Sequence, residues 1–291
     1  ILTSTSLRET QSGKRIRWKI GPDLRSGQLI QDRSLEETMG KHYDNGSHLA
    51  TRLAGQNVRG LTTLKLKKEI QFMKDHRIQV LCLQETWTVT PEQTLILESD
   101  GFIIIQHGET TKTCNRGRNG VAVILDPNMR ATWENGGSKL QHSANGRVLT
   151  VEIPLQGGKL LKVTSAYSPC SNLSSMERQA FYDDVSVQTQ SSNSQDVNAT
   201  FIDGNASMGI GVHAKDRPLD GHASVGPYGE HHVNSAGQEL REFLQNNGLA
   251  SAATFFQAAG GHYATWTHPR TQQKYQLDHF LVRRSHIGRV N

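Results

Sequence analysis

Two segments of this chain repeat apolar residues at helical spacing, among polar neighbours. The first is LTTLKLKKEIQFMKDHR (61–77), in which Thr62 or Thr63 precedes the repeat as a candidate N-cap. Its apolar positions are Leu61, Leu64, Ile70 and Met73. The second is SAGQELREFLQNNG (235–248), which ends at Gly248, the residue type that most often follows a helix. Each segment is predicted as an amphipathic helix.

Short apolar runs predict strands that are buried on both faces. They are IQVLCL (78–83), GVAVIL (120–125), RVLTVEIPL (147–155), LLKVTSAY (160–167) and ATFID (199–203), followed by shorter candidates at ATFF (253–256), YATWTH (263–268) and YQLDHFLV (275–282). The polar stretch 186–198 is predicted as a loop, or as the frayed end of a helix that begins at Met176. Because strands alternate with helices, the chain is predicted to be an α/β domain with mostly buried sheets.

Residues 1–50 show no sustained period and mix Ser, Thr, Gly and Arg. We predict a flexible, mildly basic arm there and one folded domain over residues 51–291. The alternative is that 1–50 is a poorly patterned part of the same domain. The chain begins with Ile1 rather than Met, so we expect a fragment of a longer protein.

Composition excludes some classes of protein. A hydrophobic share of 35% is too high for a wholly disordered chain, and no apolar run reaches the ~18 residues that span a membrane. The first twenty residues contain no apolar signal segment, so we expect an intracellular protein that is not secreted. The net charge of +5 weakly favours an anionic partner such as nucleic acid. Three widely spaced cysteines (Cys82, Cys114 and Cys170) indicate neither a zinc site nor a disulfide framework.

Several predicted strands end on polar residues. Glu85, Tyr167, Asp203 and Asp278 each stand at the end or edge of an apolar run, and Asn205 follows two residues after Asp203. Any one of them is plausible as a turn residue or a helix cap. Together, acids that converge at strand ends favour a cleft that binds a hard cation such as Mg²⁺. Since residues i and i+2 of a strand face the same side, Asp203 and Asn205 are expected to point at one substrate atom.

The order of these motifs resembles the endonuclease/exonuclease/phosphatase superfamily over about residues 53–291. The segments that carry the resemblance are QNVRGL with Asn57, LCLQETW with Glu85, GRNGVAVIL (117–125), SAYSP with Tyr167, IDGN with Asp203 and Asn205, TWTHPR (265–270), and YQLDHFLV with Asp278. GPYGEHHVNSAGQELREFL (226–244) is most similar to the apurinic-type endonuclease domain of non-LTR retrotransposons, with its Gly-Pro-x-Gly loop followed by an asparagine, here Asn234. The resemblance implies a four-layer α/β sandwich, in which two mixed β-sheets pack face to face with flanking helices.

The chain departs from the family pattern in two places. The usual Gly-Asp-Phe-Asn is replaced by Ile202-Asp203-Gly204-Asn205. The closing Ser-Asp-His strand, whose histidine contacts the scissile phosphate in the family, has no counterpart in LVRRSHIGRVN (281–291). His279 is expected on the opposite face from Asp278, and His286 lacks the intervening aspartate. We therefore expect the fragment to end before that motif.

The resemblance implies hydrolysis of a phosphodiester with Mg²⁺ or Mn²⁺. Glu85 would hold the metal with Asn57 nearby, and Asp203 would orient or deprotonate the attacking water. Asn205 would hold that water or a phosphate oxygen, Tyr167 would donate to a phosphate oxygen, and Asp278 would position the absent histidine or support the metal.

For biology, the resemblance implies nicking of target DNA, so that the freed 3′ hydroxyl primes reverse transcription. The expected partners are DNA and a reverse transcriptase domain in the same natural polyprotein, with no membrane association. We also expect a monomer. A nuclear location follows from the role alone. The candidate nucleic-acid contacts are Trp266, Asn234 and Arg118, the last in the basic stretch RGRNG. The basic stretch LKLKK (64–68) is a further candidate for contact with phosphates. A core tryptophan at a strand end, a solvated helix face at LKLKK and a plain glycine turn at RGRNG are equally compatible interpretations of these segments.

Two alternatives stay open. Another branch of the superfamily, a phosphatase on inositol or lipid substrates or an RNA 3′ exonuclease, would share the same metal and Asp-x-Asn groups. A non-catalytic nucleic-acid-binding domain, decayed from an enzyme, is favoured by the missing Ser-Asp-His end. It is disfavoured because Asn57, Glu85, Tyr167, Asp203, Asn205 and Asp278 are all present.

Overall fold

The computed structural model describes residues 16–20, 50–90, 92, 94–110, 117–170, 173–190, 193–211, 223–258 and 261–290. Its helices are α1 (Thr63–His76), α2 (Pro127–Asn135), α3 (Ser175–Thr189) and α4 (Ser235–Asn246). Its strands are β1 (Ile16–Ile20), β2 (Thr51–Asn57), β3 (Val80–Gln84), β4 (Val89–Thr90), β5 (Thr94–Ser99), β6 (Phe102–His107), β7 (Glu109–Thr110), β8 (Val121–Leu125), β9 (Leu140–His142), β10 (Val148–Pro154), β11 (Leu160–Tyr167), β12 (Val197–Asp203), β13 (Leu249–Ser251), β14 (Trp266–Thr267), β15 (Lys274–Tyr275) and β16 (Asp278–Arg283). Short 3-10 helices lie at Ala252–Phe255 and Arg284–Arg289.

Two six-stranded mixed sheets form the body of the domain. The first has the order β1-β2-β3-β8-β6-β5, and the second has the order β13-β16-β12-β11-β10-β9. Strands β2 and β3 are parallel and are joined through α1, and β11 and β12 are parallel and are joined through α3. The other neighbouring pairs in these two sheets are antiparallel. Each parallel pair needs a crossover helix, which places helices on the outer faces.

Three apolar clusters show how these layers stack. The cluster between the sheets joins Val80 and Val123 of the first sheet to Val163 and Phe280 of the second. A second cluster lies under α3 and α4 on the outer face of the second sheet, and a third lies under α1 on the outer face of the first sheet. The order of layers is therefore helix, sheet, sheet, helix, which confirms the predicted four-layer α/β sandwich.

The two sheets lie close together where Gly55 of β2 faces Phe201 of β12. A Cβ placed on Gly55 of β2 would lie 2.4 Å from Cδ1 of Phe201 on β12, so only glycine lets the two strands come this near. One strand further along, the Gln84 side chain donates to Ser165 Oγ at 2.9 Å, and Ser165 Oγ donates to the Leu83 carbonyl at 2.9 Å. These contacts fix the ends of β2 and β3 against those of β11 and β12.

Most of the predicted elements are present, with Thr62 as the N-cap of α1 and Gly248 in the left-handed region just after α4. The strand predicted at ATFF is wrong, because residues Ala252–Phe255 form a 3-10 helix. The Thr254 hydroxyl stabilises this 3-10 helix. It donates back to the Ser251 carbonyl at 2.7 Å and accepts from Gly226 N at 2.7 Å.

The predicted flexible arm differs from the structure at residues 16–20, which pair with β2 as the strand β1. The rest of that arm, and Cys114, lie outside the described residues, and a domain boundary near residue 50 stays a prediction. No helix in the described part of the chain is both long enough and apolar enough to cross a bilayer.

Candidate active site

The polar residues at the strand ends meet at one edge of the two sheets. On the second sheet, Tyr167 of β11 is paired with Asp203 of β12, and Asp203 is paired with Asp278 of β16. On the first sheet, Asn57 ends β2 and Glu85 follows β3 directly. The expected convergence of these side chains is present, and each sheet contributes part of the group.

Asn57 joins the two sheets chemically. Its side-chain nitrogen donates both to Glu85 Oε1 and, at 2.6 Å, to Asp203 Oδ2. Its side-chain oxygen accepts from the backbone nitrogen of Arg59 at 3.1 Å. One amide thus separates two carboxylates that would otherwise repel each other, and holds their oxygens toward a common space.

That space is a cavity of about 300 Å³. Its wall is formed by Asn57, Arg59, Glu85, Cys170, Asp203, Asn205, Asn234, Thr265, Trp266, Tyr275, Leu277 and Asp278. The cavity is therefore lined by both carboxylate groups and aromatic rings. Trp266 and Tyr275 pair on β14 and β15, with ring centroids 5.6 Å apart.

Burial and like charges change the acidity of the site. Burial, followed by the charges of Asp278 and Glu85, raises the pKa of Asp203 well above its ordinary value. Burial also raises the pKa of Asp278 to about 6, with Glu85 adding to the effect. Burial raises the pKa of the Tyr167 phenol as well, and the charge of Glu85 contributes to it. A carboxyl group with a raised pKa can take up a proton near neutral pH, which is the property of a general base.

Asn205 reaches the cavity by a different route from the expected one. Strand β12 ends at Asp203, and Asn205 has a left-handed backbone with φ of 47°. The expectation of two side chains on one strand face is therefore wrong. Instead, Asn205 N donates to Asp203 Oδ1 at 3.1 Å and its side-chain nitrogen donates to the Ser168 carbonyl at 3.0 Å. The turn, and not the strand pleat, brings both residues to the same cavity.

Asp278 is held through its backbone and leaves a carboxylate oxygen open. Its backbone nitrogen donates to Thr265 Oγ1 at 3.1 Å. Its Oδ1 is buried and has no hydrogen-bond partner among the described residues. A buried oxygen in this state is costly unless a cation or a donor completes it.

The oxygen donors of the cavity suit a site that depends on few protein ligands. Within the described part of the chain, no three or more His, Cys, Asp and Glu side chains are grouped as a complete metal cage. Mg²⁺ commonly takes only one or two carboxylates and completes its shell with water and substrate phosphate. Glu85 and the unpartnered oxygen of Asp278 fit a site of that sparse kind.

The other predicted residues divide into those in the wall and those outside it. Tyr167 is buried beside the cavity, under the guanidinium of Arg147 whose carbon lies 5.2 Å from the ring centroid. Asn234 lies in the wall, but its side-chain oxygen also caps α4, accepting from Gly237 N at 2.7 Å. Trp266 lies in the wall. Arg118 is exposed and does not contribute to the cavity.

Neither candidate histidine, His279 or His286, lines this cavity. His279 is buried on the other face of β16, where its Nε2 donates to the Ala206 carbonyl at 2.9 Å. Strand alternation from Asp278 accounts for this placement. His286 is buried in the 3-10 helix after β16 and does not line the cavity.

Five residues of the wall were not singled out from the sequence as site residues: Arg59, Cys170, Thr265, Tyr275 and Leu277. Tyr275 had a usable signal, since it opens the strand-like YQLDHFLV. Arg59 had a weaker one, two residues after Asn57. Thr265 and Cys170 reach the wall only through tertiary packing, and no local pattern marks them.

Comparison with known proteins supports the fold. No family model matches the sequence, and no curated protein matches it. The structure is similar to that of the AP endonuclease LMAP from Leishmania major, with a TM-score of 0.54 and 20% identity over 80% of this chain and 78% of that one.

Two further solved structures are more distant. The 3′ phosphatase NExo from Neisseria, bound to a product DNA hairpin, has a TM-score of 0.45 and 15% identity over 78% of this chain and 84% of that one. A humanized D. rerio TDP2 has a TM-score of 0.44 and 12% identity over 79% of this chain and 82% of that one. With its two packed mixed sheets and its cavity at their common edge, the chain has a fold of the endonuclease/exonuclease/phosphatase type.

Proposed function

We propose that this protein is a metal-dependent phosphodiester hydrolase that nicks DNA, of the kind found in non-LTR retrotransposons. The observation that carries the proposal is the Asn57 amide, which joins Glu85 of one sheet to Asp203 of the other in the wall of the cavity. The similar Leishmania major structure is that of an AP endonuclease, which supports a substrate of the same class.

Glu85 would hold a divalent cation, Mg²⁺ or Mn²⁺, with Asp278 as a second oxygen donor and Asn57 beside them. When bound, the cation would neutralise the charge on the phosphate and help the leaving oxygen depart. Because Asn57 already donates to both Glu85 and Asp203, its main contribution is to orient those two carboxylates.

Asp203 is the candidate general base. Its raised pKa suits the uptake of a proton from the attacking water, and its Oδ1 is oriented by the backbone nitrogen of Asn205. The Asn205 side chain would hold that water or a phosphate oxygen. The Tyr167 phenol keeps its proton because its pKa is raised, so it would act as a donor to a phosphate oxygen.

The aromatic side of the cavity favours a nucleic acid over a small phosphate ester. Trp266 and Tyr275 line the same cavity as the carboxylates, and their rings would contact a base or sugar beside the scissile phosphate. Base stacking on such rings contributes about 1–3 kcal/mol per base. The same proposal includes action in the nucleus and a reverse transcriptase domain in the natural polyprotein. It also includes a monomeric state, and all three follow from the proposed role.

The test is nicking of supercoiled plasmid with Mg²⁺ and with EDTA, beside Asp203→Asn. Asn has the same shape as Asp but cannot serve as the base, so we expect metal-dependent nicking that falls by about 10²-fold or more in the variant. The control is Lys139→Gln on the exposed loop before β9, which should nick like the parent.

Parallel substrates separate the alternatives. Release of inorganic phosphate from small esters, or trimming of RNA 3′ ends without plasmid nicking, would favour the other superfamily branches. Binding of duplex DNA without cleavage of any substrate would favour a non-catalytic binding domain. Nicking that persists in Asp203→Asn would contradict the assigned base.

A further inference from the structure

The wall of the cavity contains a basic side chain, that of Arg59, which has no part in the proposed hydrolysis. Three carboxylates line the wall, from Glu85, Asp203 and Asp278. Of the described residues that form this wall, Arg59 alone is a Lys, Arg or His. Its positive charge lowers the pKa of Asp278 and so opposes the effect of burial. A phosphate that enters such an acidic space needs a cation to offset the repulsion.

The backbone holds Arg59 beside the metal candidates. Its φ is 45°, in the left-handed region that side-chain-bearing residues seldom adopt. Its nitrogen donates to Asn57 Oδ1 at 3.1 Å, and the next residue, Gly60, donates from its nitrogen to the Glu85 carbonyl at 2.7 Å. The turn that carries Arg59 is therefore tied to both Asn57 and Glu85.

Lys65 on the first turn of α1 stabilises this turn. Its ammonium donates to three consecutive carbonyls, of Val58 at 2.7 Å, of Arg59 at 2.9 Å and of Gly60 at 2.9 Å. An ammonium group has three N–H donors, so all of them are used. Lys65 is therefore committed to the backbone and does not present its charge to a phosphate, unlike the hypothesis for the LKLKK stretch.

We propose that Arg59 binds a phosphate oxygen of the substrate and that Lys65 is the positioning residue that fixes Arg59 for this contact; the inference rests on the proposed phosphodiester substrate. The guanidinium matches a phosphate with two parallel N–H donors, which a lysine does not reproduce. The three-carbonyl clamp of Lys65 fixes the backbone from which that fork projects.

The first test measures binding without cleavage, by fluorescence anisotropy of duplex DNA in EDTA over a range of salt. Arg59→Gln should weaken binding by about 10- to 100-fold, the range for hydrogen bonds to charged groups. The slope of log affinity against log salt should become less negative by about 0.9, the value for one lost phosphate contact. Arg59→Lys should keep the slope and lose part of the affinity, and Lys139→Gln should change neither. An unchanged slope and affinity in Arg59→Gln would overturn the proposal.

The second test separates positioning from contact. If Lys65 acts through Arg59, the double variant Lys65→Gln/Arg59→Gln should bind DNA as weakly as Arg59→Gln alone. In nicking assays Lys65→Gln should raise KM more than it lowers kcat, because the catalytic carboxylates stay in place. Additive losses, with a slope less negative by about 1.8, would mean that Lys65 contacts phosphate itself and would overturn its assignment.

Failure of this inference is distinguishable from failure of the proposed function. Binding in EDTA requires no chemistry, so absent nicking in Mg²⁺ with Arg59-dependent binding would remove only the hydrolase. Nicking that proceeds equally well with Arg59→Gln, at normal KM, would remove only the Arg59 contact. Circular dichroism of each variant establishes that the fold is intact.

Discussion

Asn57 of the first sheet donates to Asp203 of the second sheet at 2.6 Å. The same nitrogen also donates to Glu85 Oε1, so a single amide binds carboxylates from both sheets. The proposed active site therefore depends on a neutral donor between two acids as much as on the acids themselves.

Replacing that donor with an acceptor is the sharpest test of this arrangement. Asn57→Asp keeps the size of the side chain but places three carboxylates together, so we expect nicking to fall by about 10²-fold or more and Tm to fall in EDTA. Added Mg²⁺ should recover more of the lost Tm than it adds to the parent. The control is Asn246→Asp on the exposed end of α4, which makes the same chemical change away from the site. Equal Tm and rate in Asn57→Asp and parent would contradict the role of the amide.

The close contact of the sheets at Gly55 makes a second prediction. In Gly55→Ala the new Cβ would meet the Phe201 ring at 2.4 Å, so the ring or the strand must shift. We expect a loss of about 1–3 kcal/mol in the free energy of unfolding, measured by urea titration. Gly288→Ala is the control, because nothing lies within 4 Å of a Cβ there.

A double-mutant cycle identifies the cause of that loss. Phe201→Ala alone creates a cavity, but it also removes the ring atoms that meet the new methyl group. The pair Gly55→Ala/Phe201→Ala should therefore lose less stability than the sum of the single changes. Simple additivity would show that the ring is not the obstacle.

Trp266 tests the aromatic side of the cavity. Trp266→Ala removes a ring that packs on Tyr275 and lines the wall, so we expect KM for DNA to rise by roughly 10-fold with a smaller change in kcat. Trp266→Phe keeps an aromatic face and should recover most of the affinity. If the alanine variant loses Tm and kcat but keeps KM, the tryptophan is a packing residue and not a substrate contact.

His279 predicts a dependence of stability on pH. Burial lowers its pKa to about 4, from an ordinary value of 6.5, so the folded state holds the neutral ring while the unfolded chain takes up a proton. The stability is thus fully present above pH 6.5 and is lost as pH falls from 6.5 toward 4, by up to about 3 kcal/mol.

The measurement compares urea unfolding of the parent and His279→Gln between pH 7.5 and 5. The variant should be less stable at pH 7.5, and its stability should fall less steeply with pH. His262→Gln, a change at an exposed histidine, should follow the parent curve. Parallel curves for the parent and His279→Gln would show that the buried ring does not carry the effect.

Much of the fold was predictable because its central strands are unbroken apolar runs. Strands β3, β8, β10, β11 and β12 are buried almost throughout, so their composition alone marks them. The β5–β6 hairpin was missed, although Asp100-Gly101 between two strand-like runs is a strong hairpin signal. Both residues have positive φ in the structure, of 53° and 80°.

The sequence identified most residues of the candidate site, but it did not predict the hydrogen bonds and the turn that bring them together. Asn57, Glu85, Asp203, Asn205 and Asp278 all reach one cavity, as the motif order indicated. The amide bridge of Asn57 and the left-handed turn at Asn205 arise from packing between the sheets, which no local period records. The three hydrogen bonds of Lys65 could not be predicted for a related reason. Lys65 lies among other lysines on a helix, and such a pattern is typical of a solvent-exposed face.

The two large sheets are also consecutive in the chain: the described strands of the first end at Leu125, those of the second start at Leu140, and the crossing is made by α2. Of the residues with a role in the proposed hydrolysis, Asn57 and Glu85 lie before this crossing, and Tyr167, Asp203, Asn205 and Asp278 lie after it. Two separately expressed pieces, divided in the exposed turn at Gly137, would each contain an incomplete set of acids and amides. Under the proposed function, nicking would report their reassembly, and the domain would work as a split enzyme whose output depends on two polypeptides meeting.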